Sequence, residues 1–300
     1  MSGEINRDIK WISGSVPIAV VMISLNEAHN MEDVLKNLQG WAQEVFLVDS
    51  CSSDDTVDIA LKYGVHVVQR KFKGFGDQWN FALNELPIKS PWTMKLDPDE
   101  RLSDELKAEI LHAVRHSTFT AYTLPIRLYF MGAKLPSILK LTRLWQTGSV
   151  QFSNVKANEH AHSSGPEGFI TSEIMHLDSP SLDHWLTKQN RYTTAEATSQ
   201  FEGQALALPP RFFGTSLERR MWLKKNFWKF PGRYFILFTY HLVVIGAWRA
   251  GKAGWMWARL RTEVYRLWEY KRLEMEILGR VPAKIPSQPG SPDSRVRLYE

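Results

Sequence analysis

In the stretch Pro-Trp-Thr-Met-Lys-Leu-Asp-Pro-Asp-Glu-Arg, residues 91–101, an apolar run leads directly into a cluster of acids. Residues 92–96 have the composition of a short buried strand. Asp97, Asp99 and Glu100 follow at its carboxyl end, where three acids within four residues repel one another. A divalent cation that also binds a nucleotide diphosphate is the simplest way to offset this repulsion. The alternative is a solvated acidic turn, with Ser103 as the cap of the next helix.

Three strands and three helices are predicted upstream of this stretch. The strands are 16–25, 44–48 and 65–69, and the helices are one capped by Asn30 and closed by Gly40, one at 56–63 and one at 77–86. This alternation with short connections predicts an α/β fold with a doubly wound, mostly parallel sheet. The carboxyl ends of strands bind ligands in such sheets, and acids or amides follow three of them here: Asn26, Glu27, Asp49, Asp97 and Asp99.

Downstream, the pattern predicts helices at 103–116 and 182–201, a strand at 119–130, and loops with short strands over 134–142 and 149–162. The lone Cys51 excludes an internal disulfide and fits a reducing compartment. Residues 1–15 lack an apolar core, so no signal peptide is expected. No Gly-x-Gly-x-x-Gly follows the first strand, which disfavours a dinucleotide-binding fold, and there is no Walker-type lysine loop either.

The positive charge of the chain is concentrated near its C-terminus. Residues 211–280 contain 15 Lys/Arg against 5 Asp/Glu and hold 6 of the 12 Trp, whereas the rest of the chain is net negative. This composition predicts amphipathic helices over 217–277 that lie in a membrane interface. The apolar run 234–248, at 15 residues, is short of the roughly 20 needed to span a bilayer. A core helix hairpin, a membrane span and nucleic-acid binding remain alternatives for this region.

Six ordered sequence words within residues 16–200 resemble the family-2 inverting glycosyltransferases of GT-A fold. They are Val-Val-Met-Ile-Ser-Leu-Asn-Glu (20–27), Val-Asp-Ser-Cys-Ser-Ser-Asp-Asp-Thr (48–56), Gly-Phe-Gly-Asp-Gln-Trp-Asn-Phe-Ala (74–82), Leu-Asp-Pro-Asp-Glu-Arg (96–101), Asn-Glu-His (158–160) and Lys-Gln-Asn-Arg-Tyr (188–192). The resemblance extends to the branch that builds bacterial lipopolysaccharide core and surface polysaccharides. Cys51, Trp79, Pro98 and Asn158 depart from the family pattern, and none of them removes an acid that the chemistry needs.

The resemblance implies a GT-A fold, a nucleotide-sugar donor, typically a UDP-sugar, and Mg²⁺ or Mn²⁺ to neutralise the diphosphate leaving group. It implies that Glu159 is the catalytic base and that Asp99 and His176 hold the metal. The residues implied for the donor are Ile23, Asn26, Glu27, Asp49, Lys73, Asp77, Asp97, Lys188 and Arg191. Each has a structural alternative: Asp49 can cap its turn, Glu159 can be a surface acid, and Lys188 and Arg191 can line a solvated helix face.

We expect four segments. Residues 16–116 would bind the nucleotide sugar, 117–205 would form the acceptor-side and catalytic half of the same domain, 211–280 would be basic amphipathic helices at the membrane surface, and 281–300 a mobile tail. The expected partners are a lipid-linked saccharide acceptor and an anionic membrane, at the cytoplasmic face of the inner membrane, with no nucleic acid. A sugar-1-phosphate nucleotidyltransferase would need a Gly-rich basic loop after the first strand, which is missing. A non-catalytic scaffold remains an alternative.

Overall fold

The apolar run after residue 15 forms β1 (Val16–Ser24), which lies at the centre of the parallel part of the sheet. The computed structural model describes residues 10–153, 161–203, 211–214, 218–219, 222–223 and 226–282. These residues form two units, one holding residues up to 128 and 138–177, the other holding 129–137 and 178–282.

The strands and helices of the first unit follow the alternation predicted from the sequence. After β1 come α1 (Ala28–Leu38), β2 (Ala42–Asp49), α2 (Thr56–Lys62), β3 (His66–Gln69), α3 (Phe75–Glu85), β4 (Trp92–Lys95), β5 (Glu100–Arg101) and α4 (Asp104–His116). They continue with β6 (Ala121–Phe130), β7 (Ala133–Gln146), β8 (Val150–Phe152), β9 (Ala161–Ser163), β10 (Glu167–Phe169) and β11 (Ile174–Leu177).

The main sheet has the strand order β3-β2-β1-β4-β7-β6-β11-β5, and β10 pairs with β6. The pairs β3–β2, β2–β1 and β1–β4 are parallel, which confirms the predicted parallel core. β7 pairs with β4 in the antiparallel direction, and so does β5 with β11. The short strands β8 and β9 form a separate antiparallel pair.

Helices cover both faces of the parallel core, as a doubly wound sheet requires. Ile18 and Val20 of β1 point to one face and pack in a fully buried cluster with Leu35 of α1, together with apolar residues of α2 and α4. Ala19 and Val21 point to the other face, which carries residues of α3. The alternation explains why β1 is apolar at nearly every position.

Two predictions for single elements were wrong. Asn30 does not cap α1, because the helix already begins at Ala28, and the Glu27 carbonyl accepts hydrogen bonds from the amides of Asn30 and Met31. The loops and short strands predicted for 134–142 are instead part of one continuous 14-residue strand, β7. β7 follows β6 through a two-residue turn in which Met131 and Gly132 both have positive φ, 48° and 75°. Met-Gly lacks the Asn-Gly or Asp-Gly signature of such turns, so the hairpin was not recognised.

The second unit is built around two long helices, α5 (Leu182–Phe201) and α7 (Gly251–Leu278). The α5 bounds match the prediction. Between the two helices lie α6 (Arg233–Thr239), a π-helical turn (Tyr240–Val244) and two 3-10 turns (Phe227–Lys229 and Ala247–Ala250). Ala197 of α5 packs with Trp268 and Met275 of α7 in a small core, and the Glu269 carboxylate accepts from Arg233 and from the Tyr234 hydroxyl.

This packing changes the interpretation of α7. Trp257 and Trp268 belong to the segment 217–277 that was predicted to lie in a membrane interface, and they are only 4% and 8% exposed. Within the described residues, no helix combines the length and the apolar content that crossing a bilayer requires. The predicted boundaries at 16–116, 117–205, 211–280 and 281–300 stay predictions.

We expect Leu35→Ala to lower the free energy of unfolding by about 2–5 kcal/mol, because it leaves a cavity beneath β1. Leu35 has no exposed surface. Chemical denaturation measures the change. Lys36→Ala is the matched control, since Lys36 forms an exposed pair with Glu32 and its loss should leave the free energy of unfolding nearly unchanged. Equal stability of the two variants would contradict the described packing.

Candidate active site

The carboxyl ends of the central parallel strands meet at one edge of the sheet. In the β1–β2 register, Ile23 lies opposite Val48 and Ser24 lies opposite Asp49. β4 runs parallel to β1 on its other side and ends at Lys95. The acids that follow these strands are therefore brought to the edge where open α/β sheets bind their ligands.

Asp49 is fully buried, and its carboxylate is held by the protein itself. One oxygen accepts from the hydroxyls of Ser24 (2.8 Å) and Ser52, and the other accepts from the Ser52 amide (2.7 Å) and the Gln69 side chain (3.0 Å). These bonds fix the turn after β2, which is the structural alternative given for this residue. A contact between Asp49 and a uracil ring stays a prediction.

Asn26 and Glu27 connect the end of β1 to the same turn. Asn26 has a φ of 58°, and its side-chain oxygen accepts from the Ser53 amide at 2.8 Å. The backbone amides of Asn26 and Glu27 donate to the hydroxyls of Ser52 and Thr56, both at 2.8 Å. Two strand ends are thus tied into one rigid border of the site. Ile23, partly exposed on β1, belongs to the same border.

The acids after β4 surround a buried guanidinium. Arg143 of β7 is 3% exposed, and its Nη2 donates to Asp97 (3.0 Å) and to Glu100 (2.8 Å). Burial opposes ionisation of Asp97, but the charges of Arg143 and Lys95 outweigh it and lower the pKa of Asp97 to about 2. Burial would also lower the pKa of Arg143, and the carboxylates of Glu100 and Asp97 raise it instead. Asp97 is therefore ionised at neutral pH.

Asp99 and His176 lie side by side. The pairing of β5 with β11 sets Glu100 opposite His176 in the register. His176 Nε2 is 3.5 Å from a carboxylate oxygen of Asp99, and His176 Nδ1 is 3.8 Å from Glu100 Oε1. A carboxylate and an imidazole are suitable ligands for Mg²⁺ or Mn²⁺ when phosphate oxygens and water complete the shell. The described part of the chain holds no group of three or more His, Cys, Asp or Glu side chains arranged to bind a metal ion. Metal binding by Asp99 and His176 stays a prediction.

Two basic residues of this site were missed in the sequence. Arg143 sits within a long strand, 43 residues from its partner Glu100. Lys95 is 9% exposed, and its ammonium group lies over the rings of Trp79 (4.4 Å) and Phe152 (5.2 Å). Lys95 is a charged residue inside a fully buried strand, which is a local signal for it. Arg143 gives no such signal, because its strand also contains Lys134 and Lys140.

The other donor-site candidates of the first unit lie around α3. Lys73 is exposed in the loop before the helix. Asp77, in the first helical turn, pairs with Arg70 at 2.7 Å. That pair gives Asp77 a structural role that local sequence did not indicate.

Three predicted site residues lie elsewhere or are not described. Lys188 and Arg191 are on α5 of the second unit, where Lys188 Nζ lies 3.3 Å from the Asp178 carboxylate and Arg191 is exposed. Glu159, predicted as the base, falls within 154–160, outside the described residues. Whether these residues join the donor site stays a prediction.

Comparison with known proteins identifies the class to which this fold and acid cluster belong. Residues 19–165 match the model for glycosyl transferase family 2. This segment is a family 2 glycosyltransferase domain, and the protein is a glycosyltransferase. The mixed sheet, covered on both faces, agrees with the GT-A fold that the sequence words imply.

Two relatives and one solved structure illustrate which proteins the chain is similar to. An uncharacterised glycosyltransferase of Rickettsia conorii is 28% identical over 73% of this chain and 81% of its own length. The lipopolysaccharide core biosynthesis glycosyltransferase LpsC of Rhizobium meliloti is 25% identical over 71% of this chain and 83% of its own length. Staphylococcus aureus TarS 1–349, solved in complex with UDP-GlcNAc, is 14% identical with a TM-score of 0.47, covering 90% of this chain and 94% of that chain.

We expect Asp49→Asn to destabilise the protein by about 1–3 kcal/mol. The substituted amide group would face the N–H donors of Ser52 and Gln69 where the carboxylate accepts from both, and a buried donor without an acceptor costs about this much. Denaturation midpoints measure the loss. Asp58→Asn, on the exposed side of α2, is the control and should stay within about 0.5 kcal/mol. No difference between the variants would show that the Asp49 hydrogen bonds do not support the turn.

Proposed function

We propose that the protein is an inverting, metal-dependent hexosyltransferase. It transfers a sugar from a nucleotide donor, a UDP-sugar, to a lipid-linked saccharide in the synthesis of bacterial lipopolysaccharide or surface polysaccharide. The observation that carries the proposal is the acid cluster beyond β4, with Asp99 and His176 3.5 Å apart. The acids of this cluster lie within residues 19–165, which match glycosyl transferase family 2, and His176 follows that segment.

Asp99 and His176 are the residues that would hold Mg²⁺ or Mn²⁺. The metal neutralises charge on the nucleoside diphosphate as it leaves. Asp97 would contact the nucleotide and stays ionised through its pairing with Arg143. The buried ammonium of Lys95 contributes positive charge on the same side of the site, since it acts on Asp97.

The border formed by Ile23, Asn26, Glu27 and Asp49 would bind the nucleoside. Its hydrogen bonds from one strand end to the next keep it rigid, so little conformational entropy is lost when the donor binds. Because Asp49 is enclosed by its own turn, we propose that it acts by shaping this border and presenting its backbone to the base. Lys73, Asp77, Lys188 and Arg191 remain candidates for contacts to the diphosphate.

Inversion needs a base that takes the proton of the acceptor hydroxyl on the face opposite the leaving group. We assign this role to Glu159. The support is its position between β8 and β9, in the Asn-Glu-His word that resembles the family pattern.

An acceptor with a lipid anchor requires an enzyme that works at a membrane surface. The segment 233–248 supports this, because it exposes large apolar side chains next to basic ones. Phe235, Ile236, Val243, Val244 and Trp248 are between 58% and 75% exposed. Exposed apolar side chains of this kind insert into the interface, while basic residues such as Arg249 and Lys252 attract anionic lipid. We therefore propose a peripheral position at the cytoplasmic face of the inner membrane.

Asp99→Asn should abolish sugar transfer with the fold intact, because the metal site loses its charged ligand. The measurement is UDP release from a panel of UDP-sugars with Mg²⁺ or Mn²⁺, alongside a denaturation curve. The substitution preserves shape at a position that is 7% exposed, so a normal denaturation curve is expected. Full turnover by a well-folded Asp99→Asn variant would refute the assignment of this residue.

Glu159→Gln should leave donor affinity near normal and lower turnover by about 10² or more, at the lower end of general-base effects. Titration with UDP measures affinity, and single-turnover transfer to acceptor measures chemistry. Glu167→Gln, an exposed acid on β10, is the matched control. If turnover survived, Asp178 or Glu173 would replace Glu159 as the candidate base; a collapse of UDP affinity would instead assign Glu159 to the donor site.

The double variant Phe235→Asp/Val244→Asp should bind anionic phosphatidylglycerol vesicles at least tenfold less, because two charges then enter the apolar surface. Flotation of protein with vesicles measures this, and donor turnover in solution should be unchanged. Ile277→Asp, a substitution at an 84% exposed apolar residue of α7, is the control. High salt should release the native protein only in part, since screening weakens charge attraction and not apolar burial. Equal flotation of all three proteins would contradict this surface.

A further inference from the structure

We propose that Arg143 and Glu100 act as a pair of positioning residues that orient the metal ligands Asp99 and His176 and hold Asp97 toward the donor. This inference rests on the proposed function and names two residues that the sequence words did not assign to any role. Neither residue would touch the reacting atoms. Their effect would pass through the side chains that they hold.

Glu100 is the centre of the arrangement. It is fully buried, its Oε2 accepts from the Asp97 amide at 2.9 Å, and its Oε1 accepts from Arg143 Nη2 at 2.8 Å. One carboxylate thus fixes the backbone of the acidic turn and is itself fixed by a rigid strand. A guanidinium presents its donors in a planar fork, so it restricts the carboxylate more than a lysine would.

The same carboxylate faces the imidazole. His176 Nδ1 lies 3.8 Å from Glu100 Oε1, while Nε2 lies 3.5 Å from Asp99, on the opposite side of the ring. A carboxylate beside Nδ1 favours the tautomer that carries its proton there, which leaves the Nε2 lone pair available to a cation next to Asp99. Metal-binding histidines are commonly oriented by a carboxylate in this way.

The hydrogen bonds of Arg143 argue against a purely stabilising role. Its Nε and Nη1 are buried and have no hydrogen-bond partner among the described residues. Unsatisfied buried donors destabilise a fold, and a buried ion pair is often replaced by apolar residues without loss of stability. An arginine with two unsatisfied buried donors is better explained by the side chains that it holds than by its own contribution to folding.

The test measures Mn²⁺ binding directly, by the loss of the free Mn²⁺ electron paramagnetic resonance signal, with UDP present and without it. Glu100→Gln and Arg143→Met should bind Mn²⁺ about 10- to 100-fold more weakly in the presence of UDP, the range seen when a residue that orients a metal ligand is replaced. Arg143→Lys should recover only part of the affinity, because the charge returns without the fork.

Arg127→Met is the matched control. Arg127 pairs with Glu173 in the same unit, and its side chain is 14% exposed, so its loss also removes a largely buried arginine from an ion pair. Denaturation curves of all variants report the cost to folding. If Arg143→Met and Arg127→Met lowered stability alike and both folded proteins bound Mn²⁺ as the native protein does, Arg143 would be structural and the inference overturned. Should Arg143→Met fail to fold, Glu100→Gln and Arg143→Lys decide the question by the same affinities.

The native protein separates this inference from the proposed function. If it binds Mn²⁺ with UDP and the variants bind equally well, only the positioning role is refuted. If the native protein transfers sugar and binds no Mn²⁺, the result refutes both the metal-dependent mechanism and the positioning role.

Discussion

The repulsion between the carboxyl groups of Asp97, Asp99 and Glu100 is the constraint on which the site depends. Negative charges that are crowded within four residues of a nearly buried turn need compensating charge from the fold. Arg143 supplies it to Asp97 and Glu100, and it comes from an antiparallel strand inserted beside β4. Strand pairing therefore changes from parallel to antiparallel at β4, and the antiparallel strand β7 brings Arg143 from a later part of the chain to the acids.

Much of the parallel core could be predicted, because each of its elements is encoded locally. The apolar runs of β1 and β2, the spacing of Met31, Val34, Leu35 and Leu38 on α1, and the Ser103 cap of α4 each carry their own signal. The acids at the strand ends also follow from this, since parallel strands direct their carboxyl ends to one edge. What local patterns predict is the set of residues at the edge, and not the bonds between them.

The rest depends on contacts between residues far apart in sequence. The pairing of β7 with β4, the Arg143 bridges and the position of Lys95 over Trp79 join groups that no periodicity connects. Asp49 shows that local sequence also cannot distinguish between two roles of one residue. Its residue type and position fit a base contact and a turn cap equally, and only the four hydrogen bonds around it identify the turn cap that it forms.

Composition predicted less in the second unit, because Trp and basic residues can serve either the folded core or a membrane surface. Trp257 and Trp268 of α7 are core residues, and Arg233 is neutralised by Glu269. Part of the Trp and basic content that indicated a membrane is therefore buried or paired within the folded unit. The case for a membrane surface rests instead on side chains that folding leaves uncovered, Phe235, Ile236, Val243, Val244 and Trp248. Exposed apolar area is costly in water unless something covers it, and the basic residues that flank this segment favour an anionic lipid surface as that cover.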